Sequence, residues 1–275
     1  MIKILVDSSA DRSISGGTVD FLVPLTVNID DVEYKSGIDI TTDEFYEKLL
    51  TAKEFPRTSQ PSPQEFLEVF EQAKESGDEV ICLCLSSQLS GTYQSAMMAR
   101  EMVDYDGIYI VDTLSVTHLT GIIVDYAREL INQGETAAAI VEKCEVIKGK
   151  IRVFLGVETL EYLYKGGRLS RASATVAEVA GIKPVLELRD GKVETLGKCL
   201  GKLRAMNFIL DKVKGCKVDS KFPMYSLYTY GTENVETLEE KLKDNGYKIA
   251  DRLQVGSTIG THVGPGVYAV AFVEI

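Results

Sequence analysis

The sequence predicts an α/β fold in which a largely parallel sheet is followed by a second, α+β domain. Over the first 150 residues, short β-rich segments alternate with longer segments of helical periodicity, as expected of parallel strands joined by helical crossovers. The rhythm then changes, because strand-like segments follow one another more closely and Asp190-Gly191 is a hairpin signal. No low-complexity linker separates the halves, so we place the domains at 1–150 and 151–275, with a soft boundary.

The N-terminal half opens with a buried strand, IKILVD, and FLVPLTVNID and VEYKSG read as further strand. Two helices follow, and each is predicted from a capping residue at its start. TTDEFYEKLL begins with a Thr cap, and the next has Ser62 as cap, Pro63 at the first helical position and Glu65 three residues after the cap. The same alternation then continues through strand DEVICLCLS, helix SGTYQSAMMAREMV, strand GIYIVDT and helices LTGIIVDYARELINQG and TAAAIVEKCEVIKGK.

The C-terminal half is expected to contain helices near 200–214 and 233–244 and the strands IRVFLGV, IKPVLELRDGKVETLGK, FPMYSLYTYG, YKIADRL and VYAVAFVEI. In parallel sheets, ligands bind at the carboxyl ends of the strands. In this chain those ends carry Asp7-Ser8-Ser9, Ser86-Ser87 and Asp112-Thr113. A binding site is therefore expected near these polar residues.

The composition of the chain argues against several classes of protein, among them nucleic-acid-binding, membrane-spanning and secreted proteins. The chain has 41 Asp and Glu residues against 30 Lys and Arg, and its formal net charge of -11 argues against binding to nucleic acid. Its apolar runs are shorter than the roughly 20 residues of a membrane helix, and the apolar part of MIKILVDSS is too brief for a signal peptide. The 5 cysteines form no C-x-x-C pair, which indicates a reducing compartment and no structural zinc or disulfide framework. We predict a cytoplasmic protein that is not an integral membrane protein.

Two hydroxyl-rich stretches precede predicted helices. PRTSQPSPQEF crowds Thr58 and Ser59 between prolines, where hydroxyls either donate to an anion or cap the helix. CLSSQLSGTYQSA brings Ser90 to a helix start, where free N–H groups and the helix dipole favour an anion. No G-x-x-x-x-G-K-[ST] motif is present, so this is not a nucleotide P-loop. Ser86, Ser87 or Ser90 could serve as a hydrolase nucleophile, but no G-x-S-x-G elbow surrounds them.

Two later stretches contain positively charged or titratable side chains beside glycines. In ETLEYLYKGGRLSRA a helix is expected to end at Gly166-Gly167, and Arg168 and Arg171 follow in a loop, either solvated or paired with a carboxylate or phosphate. In IGTHVGPGVYAVAFVEI, His262 is expected in a glycine-rich loop before the last strand. It is either a ligand-binding residue held by the backbone or the polar residue of a turn.

Asp7 and His118 have weaker claims to a function. Aspartyl-phosphate phosphatases need a second acid two residues after the nucleophile, and here that position is Ser9. A turn-capping role for Asp7 is therefore favoured over phosphatase chemistry. His118 lies at the start of an apolar helix, where a packed or capping role is expected.

Four stretches, taken in order, resemble the signatures of the DegV family: RTSQPSPQEF, LSSQLSGTYQSA, ETLEYLYKGGRLSR and IGTHVGPGVYAVAF. The resemblance covers essentially the whole chain. It implies a DegV-like two-domain fold, with an N-terminal three-layer α/β/α domain built on a parallel sheet and a C-terminal α+β domain built on a mixed sheet. The family is similar to the fatty-acid-binding subunits of bacterial fatty acid kinase.

The resemblance also implies a function. A long-chain fatty acid would be the ligand, buried in an apolar tunnel, with no metal and no cofactor, and a separate ATP-binding kinase subunit would phosphorylate it to acyl phosphate. The protein would then not be catalytic alone. Thr58 and Ser90 would hold the carboxylate, and His262 and Arg168 would have auxiliary roles in phosphoryl transfer. Weaker candidates for the ligand site are their neighbours Ser59, Ser87, Gly91 and Thr92.

Alternatives stay open at this point. Where family members that dock the kinase often carry an arginine-rich run, this chain has GKCLGKLRAM, with Cys199-Leu200 in place of basic residues. A stand-alone lipid-binding or transport protein without a kinase partner is one alternative. In either case transient contact with a membrane surface is open. A serine or aspartate hydrolase that uses Ser90 or Asp7 with His262 is another.

Overall fold

A computed structural model of the protein describes residues 1–169 and 181–275. The N-terminal half is built on a four-stranded sheet of β1 (Ile2–Asp7), β2 (Phe21–Val23), β6 (Glu79–Cys84) and β7 (Ile108–Asp112). The strand order is β2-β1-β6-β7, and every neighbouring pair is parallel. This confirms the parallel sheet predicted from the alternation of strands and helices.

Helices cover both faces of this sheet. They are α2 (Pro63–Ser76), α3 (Thr92–Val103), α4 (Thr117–Asn132) and α5 (Ala137–Lys148). The first helix, α1 (Thr42–Thr51), packs instead with Val27 and Ile29, outside this sheet. Because successive side chains of a strand point to opposite faces, Leu5 packs on the side of α2 and α3, whereas Ile4 and Val6 pack on the side of α4 and α5. The N-terminal half therefore has the three layers implied by the family resemblance.

A second, smaller sheet was not anticipated. FLVPLTVNID is not one strand: β2 ends before Pro24, and β3 (Thr26–Ile29) joins β4 (Val32–Lys35) and β5 (Arg57–Ser59) in an antiparallel sheet of order β4-β3-β5. Pro24 has no N–H to donate to a strand ladder, which accounts for the break between β2 and β3. The consequence for the site is that Thr58 lies on a strand rather than in a loop.

The C-terminal half contains a six-stranded sheet. Its strands are β8 (Ile151–Gly156), β9 (Ile182–Arg189), β10 (Lys192–Leu200), β11 (Tyr225–Tyr228), β12 (Asp251–Gln254) and β13 (Tyr268–Val273). The order is β10-β9-β8-β13-β11-β12, and only the β11–β12 pair is parallel, so the sheet is mixed. The Asp190-Gly191 hairpin between β9 and β10 is confirmed.

The remaining described helices are α6 (Glu161–Lys165), α7 (Lys202–Lys214), α8 (Glu233–Asp244) and α9 (Ser257–Val263). One face of the six-stranded sheet packs on α7 and α8, as the cluster of Phe154, Ile209 and Leu238 shows. The other face packs against α4, so that Val153 and Ala271 share a buried cluster with Leu119. One buried apolar cluster therefore includes residues of both sheets, and the division near residue 150 remains a prediction.

Candidate functional site

A cavity lies where the carboxyl edge of the parallel sheet meets α4, α9 and the six-stranded sheet. It encloses about 890 Å³ of empty space, its opening included. Most of its lining is Leu, Val and Ile, supplied by both halves, for example Leu25, Leu119, Leu155 and Leu227. An apolar cavity with a few polar groups is the usual form of a small-molecule site in proteins.

The four side chains predicted for the ligand site all line this one cavity: Thr58, Ser90, Arg168 and His262. They come from positions more than 200 residues apart, on β5, on the loop before α3, on the loop after α6 and on α9. The weaker candidates behave differently. Ser59 and Ser87 are exposed and do not line the cavity, while Gly91 and Thr92 lie behind Ser90 at the start of α3.

Thr58 is held by the small antiparallel sheet. It pairs with Val27 of β3, and the alternation along β5 leaves Thr58 half-buried and Ser59 exposed. Thr58 Oγ1 lies 2.8 Å from His262 Nε2. The contact joins a strand of the N-terminal half to a helix of the C-terminal half.

His262 does not lie in a loop, and this prediction was wrong. It belongs to the last turn of the short helix α9, in which Gly260 N donates to Gly256 O at 2.8 Å. The helix ends at Gly264, whose φ of 76° suits glycine. Gly260 and the β-branched Thr258 and Ile259 are poor helix formers, so packing of α9 against α1 and α6 must supply the stability that propensity does not.

Burial makes His262 a neutral residue. The side chain is 8% exposed, and desolvation, with a smaller contribution from the charge of Arg168, lowers its pKa from 6.5 to about 4. Nδ1 is buried and has no hydrogen-bond partner among residues 1–169 and 181–275. A buried N–H without an acceptor is costly, so the proton belongs on Nε2, which donates to Thr58 Oγ1. The Thr58 hydroxyl hydrogen is then free to donate into the cavity.

Gly166 provides the room that this ring needs. A Cβ at position 166 would overlap His262 Nδ1, although the φ of Gly166 is an ordinary -73°. The glycine pair was expected as a helix C-cap, and Gly166 does cap α6. Its second role, clearance for the imidazole, is one that the sequence pattern did not reveal.

Ser90 precedes the first turn of α3. Its Oγ lies 2.9 Å from Thr92 Oγ1 and accepts a hydrogen bond from Thr92 N at 3.3 Å. Gly91 occupies the N-cap position without a side-chain cap. Ser90 therefore presents a hydroxyl to the cavity beside the positive end of a helix dipole.

Arg168 joins two loops of the site. Its Nε donates to Leu89 O at 3.0 Å, and its Nη1 donates to Gly166 O at 2.5 Å. The guanidinium is half-buried, which lowers its pKa without removing its charge. Arg171, the second arginine of the motif, lies outside the described residues.

The described hydrogen bonds do not assemble a hydrolase. His262 contacts Thr58, and Ser90 contacts Thr92, so the serine–histidine pair of a nucleophilic mechanism is missing from these bonds. The Asp7 carboxylate accepts from Ser9 N at 3.0 Å and from Leu85 N at 2.7 Å, and it is 1% exposed. Asp7 therefore caps the turn after β1, as favoured from the sequence.

His118 also has a structural position. It lies in the first turn of α4, as predicted, and its Nε2 is 2.8 Å from Gln254 O, just before α9. Sequence reasoning missed its neighbour Asp11, which contacts both Thr117 and Gly256. The only sequence signal for Asp11 was its closeness to the carboxyl end of β1.

Comparison with known proteins identifies the family. The sequence profile of a family described as "Uncharacterised protein, DegV family" matches residues 1–274. The chain belongs to the DegV family. It is 38% identical to a DegV domain-containing protein of Caldanaerobacter subterraneus subsp. tengcongensis, in a match that covers 92% of this chain and 91% of that protein. The DegV family membership inferred from four sequence motifs is thus confirmed.

Solved DegV structures have the same fold. A structure described as "Fatty Acid Binding of a DegV family Protein from Thermus thermophilus" is 31% identical, with a TM-score of 0.88, and covers 100% of this chain and 99% of that one. A fatty acid binding DegV family protein from Streptococcus agalactiae is 27% identical, with a TM-score of 0.90 and the same coverage. The DegV fold, with its parallel N-terminal sheet and mixed C-terminal sheet, is thus confirmed. Within the described part of this chain, no helix has both the length and the apolar character needed to cross a bilayer.

Proposed function

We propose that this DegV protein binds a long-chain fatty acid in its cavity and presents the carboxylate to a separate ATP-binding kinase subunit. That subunit would transfer the γ-phosphoryl group of ATP to a carboxylate oxygen, giving acyl phosphate and ADP. The observation that carries the proposal is an apolar cavity whose lining includes Thr58, Ser90, Arg168 and His262. The fatty acid binding described for the similar Thermus thermophilus and Streptococcus agalactiae proteins supports it.

The apolar lining suits an acyl chain. Burying about fifteen methylene groups contributes roughly 12 kcal/mol at about 0.8 kcal/mol each, before the cost of association is subtracted. An acyl chain of this length would therefore dominate the affinity. The head group then needs only enough hydrogen bonds to avoid an unpaired buried charge.

The polar side chains suit a carboxylate that must react later. The Thr58 hydroxyl, with its oxygen already accepting from His262 Nε2, would donate to one carboxylate oxygen, and the Ser90 hydroxyl would donate as well. Neutral donors stabilise the anion while leaving it more nucleophilic than a direct ion pair would. Arg168 would offset the negative charge that an incoming phosphate brings. His262 would act through Thr58, as a positioning residue.

The first test is the identity of the ligand. We expect purified wild-type protein, extracted with organic solvent and examined by mass spectrometry, to release a long-chain fatty acid. A Thr58→Val, Ser90→Ala double variant should retain much less, because an acyl carboxylate would be buried without donors. The matched control is Ser59→Ala, Ser87→Ala, which removes two neighbouring but exposed hydroxyls. Equal retention in both double variants would overturn the head-group assignment.

The second test separates a kinase subunit from a stand-alone carrier. Loaded protein is incubated with ATP, with and without an ATP-binding fatty acid kinase subunit, and acyl phosphate is trapped with hydroxylamine as the hydroxamate. We expect hydroxamate only when the kinase subunit is present. A loaded protein that yields none with the kinase subunit would favour the stand-alone carrier.

A further inference from the structure

The carboxylate of Asp11 contacts the N-terminal ends of two helices that line the cavity. Its Oδ2 accepts a hydrogen bond from Gly256 N at 2.9 Å and another from the hydroxyl of Thr117. Gly256 is the N-cap residue of α9, and Thr117 is the first residue of α4. Both helices line the cavity, α4 through Thr117 and Leu119 and α9 through residues that include His262.

The backbone at this junction is strained. Thr117 is buried and has a φ of 49°, a left-handed conformation that is rare for a β-branched residue. Asp11 has a φ of 50°. Strain of this kind persists only where surrounding contacts enforce it, and it concentrates at functional sites. The bond from Thr117 to Asp11 is the contact that fixes the Thr117 side chain here.

A close approach at Gly256 completes the junction. A Cβ at position 256 would overlap Asp11 Oδ1, although Gly256 has an ordinary φ of -73°. Beside this contact, His118 of α4 places its Nε2 2.8 Å from Gln254 O. Tyr46 holds the same segment from α1 through Val255 O at 2.8 Å. The start of α9 is therefore attached to α4 at two adjacent points and to α1 at a third. Ser36, which follows β4, holds its first turn as well, through Ser257 at 2.7 Å and Thr258 at 2.9 Å.

We propose that Asp11 is a positioning residue of the head-group site, which keeps His262 at hydrogen-bond distance from Thr58 by fixing the start of α9 to the start of α4. The seven-residue helix α9 is short enough that a displacement at Gly256 reaches His262 less than two turns later. Thr58 belongs to β5 and makes no described hydrogen bond to Asp11, Thr117 or Gly256, so the junction acts on the His262 side of the pair. The proposal rests on the proposed function only for the identity of the ligand.

The test uses variants that remove the junction in independent ways. Thr117→Val removes the hydroxyl at nearly constant shape, Thr117→Ser keeps it, and Gly256→Ala displaces the carboxylate without altering it. Asp11→Ala removes the carboxylate itself. The matched control is Asp20→Asn, because Asp20 is a part-buried carboxylate that accepts a hydrogen bond from Ile4 N at 2.8 Å and makes no described bond to α9 or to the residues of the junction.

The first readout needs no ligand. The chain has 2 histidines, so His262 can be assigned by NMR with a His262→Gln variant and titrated in delipidated protein. In Thr117→Val and Gly256→Ala we expect the pKa of His262 to rise from about 4 toward 6.5, since a displaced ring gains solvent. Thr117→Ser and Asp20→Asn should titrate like wild type. The second readout is release of bound fatty acid, which we expect to be about tenfold faster in the two affected variants.

The outcomes separate the two proposals. If Thr117→Val and Gly256→Ala titrate and release ligand like Thr117→Ser, Asp11 has no positioning role. If wild-type protein carries no fatty acid, the proposed function fails, while the His262 titration still decides the role of Asp11. If Asp11→Ala does not fold, the Thr117 pair gives the decision.

Discussion

His262 shows how a single side chain acquires its state from its neighbours. Its ring is buried beside Thr58 and Gly166, and this burial and the nearby charge of Arg168 both favour the neutral imidazole. The neutral ring has one donor, on Nε2, and that donor orients the Thr58 hydroxyl toward the cavity. The chemistry proposed for Thr58 therefore depends on a residue that need not touch the ligand.

This state predicts a pH dependence of stability. The pKa of His262 is about 4 in the folded protein and near its ordinary 6.5 when unfolded, so between these values the unfolded chain binds more protons. The free energy of unfolding should therefore fall as the pH is lowered from 6.5 to 4, by about 3 kcal/mol from this residue alone. Urea denaturation at pH 7 and pH 4 measures it.

The control for that measurement is His262→Gln, which cannot titrate. The free energy of unfolding of this variant should also fall over the same pH range, but by about 3 kcal/mol less than that of wild type. Parallel curves for the two proteins would contradict the neutral, desolvated state assigned to His262.

At the scale of elements, the TSQPS stretch divides its residues between two tasks. Thr58 lies on β5 and lines the cavity, whereas Ser62 caps α2 in a capping box with Glu65. From the sequence, anion binding and helix capping were alternative roles for the hydroxyls of a single loop. The structure assigns one to each end of the stretch.

Ser62→Ala tests this division. It should lower the free energy of unfolding by about 1 kcal/mol, because Ser62 Oγ accepts from Glu65 N and Ser62 N donates to Glu65 Oε2. Fatty acid retention should stay at the wild-type level. Thermal unfolding measures the first effect, with Glu68→Ala, an exposed change on the same helix, as control. A loss of ligand in Ser62→Ala at unchanged stability would reverse the two assignments.

Elements with strong local signals were predictable from the sequence. Continuous apolar runs identified β1 and β6, caps identified α1 and α2, and Asp190-Gly191 identified the hairpin. The helix α9 was missed because its residues favour helix weakly and its stability comes from packing. The site residues Thr58, Ser90, Arg168 and His262 came from the family resemblance. The resemblance implied an apolar tunnel, but which residues line it was not predictable, because the lining brings together residues as distant in sequence as Leu25 and Ala269.

At the scale of the whole molecule, the cavity lies within a core that both halves share. Ile4 and Val6 of the parallel sheet belong to the same buried cluster as Val153, Leu227 and Ala271 of the mixed sheet. Separating the halves would expose this cluster to water. The two predicted domains are therefore expected to depend on each other for stability.

Calorimetry tests this dependence. The full chain should unfold in one transition, with equal calorimetric and van't Hoff enthalpies. A fragment of residues 1–150 should unfold without cooperativity, because it would lack the C-terminal share of the cluster. Addition of fatty acid should raise the transition temperature of the full chain, since ligand binds the folded state. Two resolved transitions in the full chain would instead support independent domains.

Gly256, which lies against Asp11, and Gly166, which lies against His262, differ from other glycines of the chain in why they exclude a side chain. At Gly77 and Gly134, with φ values of 67° and 81°, a methyl group would have room, but an L-residue would be strained by the left-handed backbone. Gly166 and Gly256 have ordinary backbone angles, but a methyl group has no room there. Both kinds of position require glycine, the first because of the handedness of the backbone and the second because of volume.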